Sequence, residues 1–313
     1  MRILITGSNG FVGGAFGRYA SRAGHEVIGV GRASQASRGW LGTYAQADAV
    51  SADLSPLVRD FAPDLLFHAA GTASVRASLD APLQDLRASV LSFANALEAV
   101  RRSGATTLVL FPSSAAVYGD PAQLPVGEDA HARPISPYGF HKAACELVAR
   151  EYSDCFRLRV AVCRLFSVFG AAQRRLLVWE LYQQFAGAGE TVWLEGTGEE
   201  TRDYLHIDDV STALLALAET QLAAPPATSA SFLTVNVASG AATRVISLAE
   251  QLRALVAPSK EIRTRGAARP GDPRAWRADI SRLRALAPKW QPAPLTDSLA
   301  RCVAEWREET HDI

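Results

Sequence analysis

Short apolar runs alternate with longer amphipathic stretches through the first two-thirds of the chain. RILIT (2–6), EVIGV (26–30), DLLFHA (64–69), TTLVLF (106–111) and VAVCRLF (160–166) each have the length and near-continuous apolarity of a parallel strand buried on both faces. Between them, residues 11–23, 83–102 and 137–156 have helical length and periodicity. This alternation predicts βαβ units and a doubly wound parallel sheet. After Leu165 the pattern loosens. It predicts a helix over 176–188, short strands near Val192 and Asp203, and a helix over 207–221. Next come a surface loop (AAPPATSA, 223–230), a strand (FLTVN, 232–236), a helix from Ile246 and an amphipathic helix over 295–308. The interleaving predicts an α/β chain with two parts: a nucleotide-binding domain over 1–165 and 207–240, and a smaller discontinuous lobe over 166–206 and 241–313.

Composition narrows the functional classes. The 313 residues carry 32 Lys plus Arg against 32 Asp plus Glu. A chain without basic excess is not expected to bind nucleic acid. No apolar run reaches the roughly 18 residues a membrane span needs. MRILITG opens directly on a strand pattern and leaves no room for a signal peptide, so a cytoplasmic location is expected. The four cysteines (Cys145, Cys155, Cys163, Cys302) lack metal-site spacing and read as reduced thiols; no metal is expected.

GSNGFVG places Gly7, Gly10 and Gly13 between a strand and a helix. Gly7 suits a tight turn, Gly10 admits a pyrophosphate close to backbone, and Gly13 lets helix and strand pack together. The helix N-terminus then favours the phosphate charge. The second strand ends in Gly31-Arg32, without the carboxylate that would hold the ribose hydroxyls of NAD. Arg32, with Ser34, Ser37 and Arg38 nearby, is placed for a 2′-phosphate, which favours NADP(H) over NAD(H). Asp53 in ADL either meets the adenine edge or caps a helix starting at Ser55.

SPYGFHK (136–142) holds Tyr138 and Lys142 four apart behind Pro137, so both side chains share a helix face. An unperturbed phenol titrates at about 10, too high for a base at neutral pH. A neighbouring ammonium stabilises the phenolate. Tyr138 can then exchange a proton with a substrate oxygen while hydride moves to or from a nicotinamide. Ser113 and Ser114 close the TTLVLF strand, and in doubly wound sheets ligands bind at the carboxyl ends of strands.

Together with HAAG (68–71), SSAAVYG (113–119), RLFSVFG (164–170), GTGEETRDYLHIDDV (196–210) and RPGDPR (269–274), these motifs give a resemblance that runs nearly end to end. The chain resembles the extended short-chain dehydrogenase/reductases, the nucleotide-sugar epimerase/dehydratase family. The resemblance implies a Rossmann-type fold and a catalytic trio of Ser114, Tyr138 and Lys142. It implies cofactor contacts from Gly7, Asn9, Gly10, Phe11, Val12, Gly13, Arg32, Asp53, Leu54, Ala69 and Ala70, besides Tyr138 and Lys142. It further implies a nucleotide-diphosphate sugar held by Thr72, Ser113, Ser114 and Ser167, with Arg202 and Arg269 facing the diphosphate and Asp272 near the ribose. Arg202 in a salt bridge with Asp208 is the structural alternative. A homodimer through 83–102 and 137–156 is implied as well. His68 and His206 read as packing or hydrogen-bonding residues, and Asp208 and Asp209 as helix caps. Ser89 and Ser167 stand where relatives commonly have Asn, and His141 where a small residue is common.

The alanines after Ser114 restrict the chemistry. Sugar dehydratases of the family place an acid and a base where Ala115 and Ala116 stand. Reductases that first epimerise C3 and C5 place a cysteine at Ala115. Two enzymes remain: an NADP-dependent 4-keto reductase acting on a 4-keto-6-deoxy sugar, with Tyr138 as proton donor, and an NAD-dependent 4-epimerase. Arg32 favours the reductase. Non-catalytic relatives typically lose the tyrosine or the lysine, and both are present here.

Overall fold

The computed structural model describes residues 1–224, 232–266 and 273–311. Strand β1 (Arg2–Thr6) leads into helix α1 (Phe11–Arg22), then β2 (Glu26–Gly31), β3 (Thr43–Gln46), α2 (Ser55–Phe61) and β4 (Leu65–His68). Helices α3 (Val75–Asp80) and α4 (Pro82–Leu86) precede a π-turn at Arg87–Leu91 that continues into α5 (Ser92–Ser103). Strand β5 (Leu108–Ser114) ends in a 3₁₀ turn at Ala115–Tyr118, followed by α6 (Pro137–Phe156) and β6 (Arg159–Leu165). The remainder is β7 (Ser167–Phe169), α7 (Leu177–Ala186), β8 (Thr191–Leu194), β9 (Thr201–Arg202), β10 (Tyr204–His206), α8 (Ile207–Ala223), β11 (Phe232–Val237), β12 (Thr243–Arg244), α9 (Val245–Val256), β13 (Glu261–Thr264), α10 (Ser281–Leu286) and α11 (Leu295–His311).

Seven strands form one parallel sheet in the order β11-β6-β5-β4-β1-β2-β3. The strand order reverses at β1, which opens a crevice at the carboxyl ends of β1 and β4. Alternate residues serve opposite faces. Ile3, Ile5, Phe67 and Leu110 pack with Phe16 of α1 and Val210 and Leu214 of α8. Leu4, Leu66, Val109 and Phe111 pack with Val58 of α2, Phe93 and Leu97 of α5 and Cys145 of α6. Both faces are therefore covered, and this is why these strands read as unbroken apolar runs. A third core joins α7, α9 and α11 through Leu181, Phe185, Leu248 and Trp306.

The expected single helix over 83–102 is interrupted by the π-turn. Ser92 explains the interruption: its hydroxyl donates to the Ala88 carbonyl at 2.5 Å and also lies 3.2 Å from the Ser89 carbonyl. Its oxygen receives His68 Nε2 at 3.2 Å, and His68 Nδ1 receives the Thr6 hydroxyl at 2.9 Å. This buried chain ties the π-turn to the ends of β4 and β1.

A second buried network binds the strand ends to α6. Arg164 Nη2 meets Glu146 Oε2 at 2.7 Å, and Arg164 Nη1 donates to the Tyr118 hydroxyl at 2.8 Å. Tyr118 donates to Asn236 Oδ1 at 2.7 Å, and Ser113 donates to Glu146 Oε1 at 2.5 Å. Burial pushes the Tyr118 phenol up to about 12, which keeps it a neutral donor.

Both networks have measurable consequences. Glu146→Ala leaves Arg164 buried without its anion, so it should cost about 3–5 kcal/mol, and calorimetry should show a smaller loss for Glu146→Gln. A loss no larger than that of a surface substitution would contradict the network's role. Burial, and then Lys142, hold His68 down at about 3. The unfolded chain therefore takes up a proton from pH ~6.5 downward that the native chain refuses, and stability falls as pH drops. His68 alone should contribute about 2–3 kcal/mol of that loss at pH ~4.5, reduced in His68→Gln. Urea midpoints at neutral pH and at pH ~4.5 measure this. An equal pH dependence in both proteins would refute it.

Candidate active site

The glycine loop forms a cradle that side chains would fill. Gly7 has φ of +72°, and a Cβ there would lie 2.5 Å from the Ala69 carbonyl carbon and the Ala70 nitrogen. A Cβ on Gly13 would lie 2.5 Å from the Gly7 oxygen. Gly10 caps α1 without a side-chain hydrogen bond, and the helix's first internal bond runs from Gly14 N–H to Gly10 O at 2.8 Å. The N–H groups of Phe11, Val12 and Gly13 thus have no acceptor within the helix. A bare helix start beside an emptied backbone crossing fits a dinucleotide diphosphate. Ala69 and Ala70 continue β4 along this crossing, with Ala69 N–H bound to the Thr6 carbonyl at 3.0 Å.

Tyr138 and Lys142 share one face of α6, at the same sheet edge. Ser136 caps the helix by accepting Gly139 N–H at 3.2 Å, and Pro137 occupies the first turn. The Tyr138 backbone N–H donates to Ser78 Oγ of α3 at 3.0 Å. Lys142 Nζ donates to the Pro112 carbonyl at 2.9 Å and lies 4.6 Å above the Phe111 ring and 5.8 Å from the Tyr138 ring. It is 6% exposed and Tyr138 9%. A fixed positive charge therefore stands beside the phenol, largely shielded from water. Ser114, half-buried, accepts Ala116 N–H at 3.2 Å and keeps its hydroxyl proton available to a ligand. A Cβ on Gly139 would lie 2.6 Å from the Ala116 carbonyl oxygen, so α6 sits directly on the SSAAVYG turn.

Other expected site residues are placed differently. Ser113 is buried and its hydroxyl donates to Glu146 Oε1 at 2.5 Å, on the opposite side of the strand from Ser114. The Asn9 side-chain amide donates to the Gln35 carbonyl at 3.0 Å and accepts Ser37 N–H at 2.9 Å, stapling the loop after β2 to the glycine turn. Asp53 accepts Ser55 N–H at 2.9 Å and secures the start of α2. The Leu54 side chain is buried in the core. Arg32 is exposed. Ser167 is half-buried at the start of β7. Arg202 is buried, its guanidinium 5.5 Å from the Trp276 ring and bound to the Thr201 carbonyl at 2.9 Å. Asp208 pairs with Arg301 at 3.3 Å, in place of the alternative bridge to Arg202. The cap of α8 is His206, whose Nδ1 accepts Asp208 N–H at 3.2 Å; the two aspartates occupy the first turn behind it. Arg269 and Asp272 lie outside the described residues.

Two features escaped the sequence reading. Tyr44 of β3 donates to the Ala33 carbonyl at 2.8 Å, and its hydroxyl oxygen would lie 2.8 Å from a Cβ on Gly31. The place where a ribose-binding carboxylate would stand is taken. The second is a buried carboxylate–imidazole pair. Asp85 Oδ2 lies 2.5 Å from His141 Nδ1, and Asp85 Oδ1 accepts the Thr72 hydroxyl. Asp85 lies outside the quoted motifs, and His141, which lies within SPYGFHK, is 56 positions from it. Among the described residues no helix is long and apolar enough to cross a membrane, and no three metal-ligating side chains cluster.

Comparison with known proteins agrees with this geometry. The model of the NAD dependent epimerase/dehydratase family matches residues 3–232. A UDP-glucose 4-epimerase of Mycolicibacterium smegmatis is 30% identical over 99% of this chain and 100% of its own. UDP-glucuronic acid decarboxylase 1 of Danio rerio is 28% identical over 98% of this chain and 73% of its own. MoeE5, solved in complex with UDP-glucose and NAD, superposes with a TM-score of 0.86 at 26% identity, covering 99% of this chain and 100% of that one. The named cofactor there is NAD, so the expected preference for NADP finds no support among these relatives. With its seven-stranded parallel sheet and its glycine cradle, this chain belongs to the NAD dependent epimerase/dehydratase family.

Proposed function

We propose that the protein is an NAD-dependent 4-epimerase of a nucleotide-diphosphate sugar, with a uridine nucleotide as the first candidate. The observation that carries this reading is the convergence of Ser114, Tyr138 and Lys142 at the sheet's carboxyl edge, beside the glycine cradle, with only alanines at positions 115 and 116. Full-length similarity to a UDP-glucose 4-epimerase supports it over the 4-keto reductase expected from Arg32.

The cradle of Gly7, Gly10 and Gly13 would hold the cofactor diphosphate on the first turn of α1. A bound nicotinamide supplies a hydride acceptor at C4 and a donor to either face of the resulting ketone. The chain's own part is proton transfer and orientation. Tyr138 removes the proton from the C4 hydroxyl and returns it, Ser114 donates to the same oxygen, and Lys142 places an ammonium beside the phenol. Nothing beside this trio offers a second acid, base or thiol at residues 115 and 116, which suits chemistry confined to one carbon. Arg202, with Arg269 and Asp272, is proposed to meet the nucleotide diphosphate and ribose. Exposed Leu83 of α4, Leu91 of the π-turn, and Phe140 and Leu147 of α6 leave an apolar face on which a second copy could pair.

The reductase is the second reading, favoured by one observation: Gly31 offers no carboxylate and Tyr44 leaves no room for one.

Protein purified without added nucleotide should release close to one NAD per chain on denaturation and interconvert UDP-glucose and UDP-galactose unaided. Empty protein that binds NADPH far more tightly than NADH, with Arg32→Ala weakening NADPH alone, would shift the assignment to the reductase. Tyr138→Phe should retain cofactor yet lose turnover by about 10²–10⁴-fold. Undiminished turnover in that variant would sink the mechanism under either reading.

A further inference from the structure

Thr72, Asp85 and His141 come from three segments: the loop after β4, helix α4, and helix α6 between Tyr138 and Lys142. Asp85 is 3% exposed, and each of its oxygens receives one donor. The Thr72 hydroxyl points at Oδ1, and His141 Nδ1 lies 2.5 Å from Oδ2. With the ring proton on Nδ1, His141 donates to one carboxylate oxygen while Thr72 donates to the other. A hydroxyl has one proton and two lone pairs, so Thr72 has spent its only proton on Asp85. Ser89 Oγ, 3.3 Å away, is in place to donate to one lone pair. What Thr72 retains is acceptor capacity. Thr72 lies four residues past His68, where β4 ends, on the sheet edge that carries Ser114 and Tyr138. His141 also couples this hydroxyl to the helix that carries the proposed base.

We propose that Asp85, held in place by His141, fixes the polarity of Thr72, so that Thr72 Oγ1 faces the cleft only as an acceptor and selects a sugar hydroxyl there. Asp85 and His141 are positioning residues, and Thr72 is the residue that meets substrate. This rests on the reading of the cleft as a nucleotide-sugar site. Thr72 would discriminate against a carbonyl, a fluorine or a deoxy carbon at the position it meets, because none of these can donate to it.

The pair is observable without substrate. The His141 Nδ1–H should give a strongly downfield signal in the proton NMR spectrum of ¹⁵N-labelled protein, lost in Asp85→Asn. Its absence from the wild-type protein overturns the inference. In cofactor-loaded protein, Thr72→Val and Asp85→Asn should each weaken UDP-glucose about three- to tenfold, the worth of one hydrogen bond, and leave UDP unchanged. The double variant should be no weaker than either single one, and KM should rise more than kcat falls. His141→Ala should match Asp85→Asn, whereas His141→Asn, which keeps an N–H donor, should restore affinity. Among the 2-, 3- and 6-deoxyfluoro analogues of UDP-glucose, one should lose affinity in the wild type but not in Thr72→Val. Equal effects on UDP and UDP-glucose, additive losses, or analogues that all bind like UDP-glucose would each refute the role. Wild-type protein that shows the Nδ1–H signal yet binds no UDP-glucose would overturn the UDP-sugar reading and the acceptor role with it.

Discussion

The pairing of Glu146 with Arg164 sets the geometry of the cleft. Glu146 stands one helical turn beyond Lys142 on α6, and Arg164 lies on β6, so the pair fixes how the helix bearing the proposed base meets the sheet. The same carboxylate takes the Ser113 hydroxyl, which locks the last residues of β5. With α6 and β5 held together, Lys142 reaches the Pro112 carbonyl, and Ser114 lies on the opposite side of the strand from Ser113. Away from water such a pair is strong only when every remaining donor is used. Arg164 directs Nε and Nη2 to Glu146 and its remaining nitrogen, Nη1, to both the Tyr118 hydroxyl and the Glu128 carbonyl, at 2.8 and 2.9 Å. The network thus pairs its own charges and fixes how α6 meets the end of β5.

Most of the fold was legible because its physics is local. Strands covered on both faces are apolar at nearly every position, and the helices between them carry a stripe for one face. The cradle was legible for a similar reason: Gly7, Gly10 and Gly13 stand where backbone must approach backbone. Local patterns do not encode which partner a polar side chain finds. Period-two alternation separates Ser113 from Ser114 but does not say which one faces the helix. Glu146 reads as a solvated helix position until Arg164 arrives from another strand. The π-turn is invisible for a related reason. Ser92 is compatible with a regular helix, and only His68, drawn in from β4, holds its hydroxyl over the Ala88 and Ser89 carbonyls. Asp85 and His141 meet only because α4 and α6 pack together.

The cofactor question shows how far two parts of one cleft can be chosen separately. Phosphate binding belongs to the glycine turn and the first turn of α1, and it is indifferent to the residues beyond β2. Ribose recognition belongs to the segment after Gly31. There Tyr44 closes the space an acid would need, and Asn9 anchors residues 35 and 37 directly to the glycine turn. Such a loop can hold a dinucleotide by enclosure and backbone contacts without a carboxylate. The missing acid is therefore weaker evidence for NADP than it is in an open loop, where one side chain carries the whole discrimination. Arg32 lies outside that closure and exposed, where a solvated guanidinium contributes little without a phosphate to meet. The epimerase reading requires that cofactor stay through turnover. A loop stapled to the glycine turn by Asn9 would supply that retention by a route independent of the acid, and independent of the chemistry at C4.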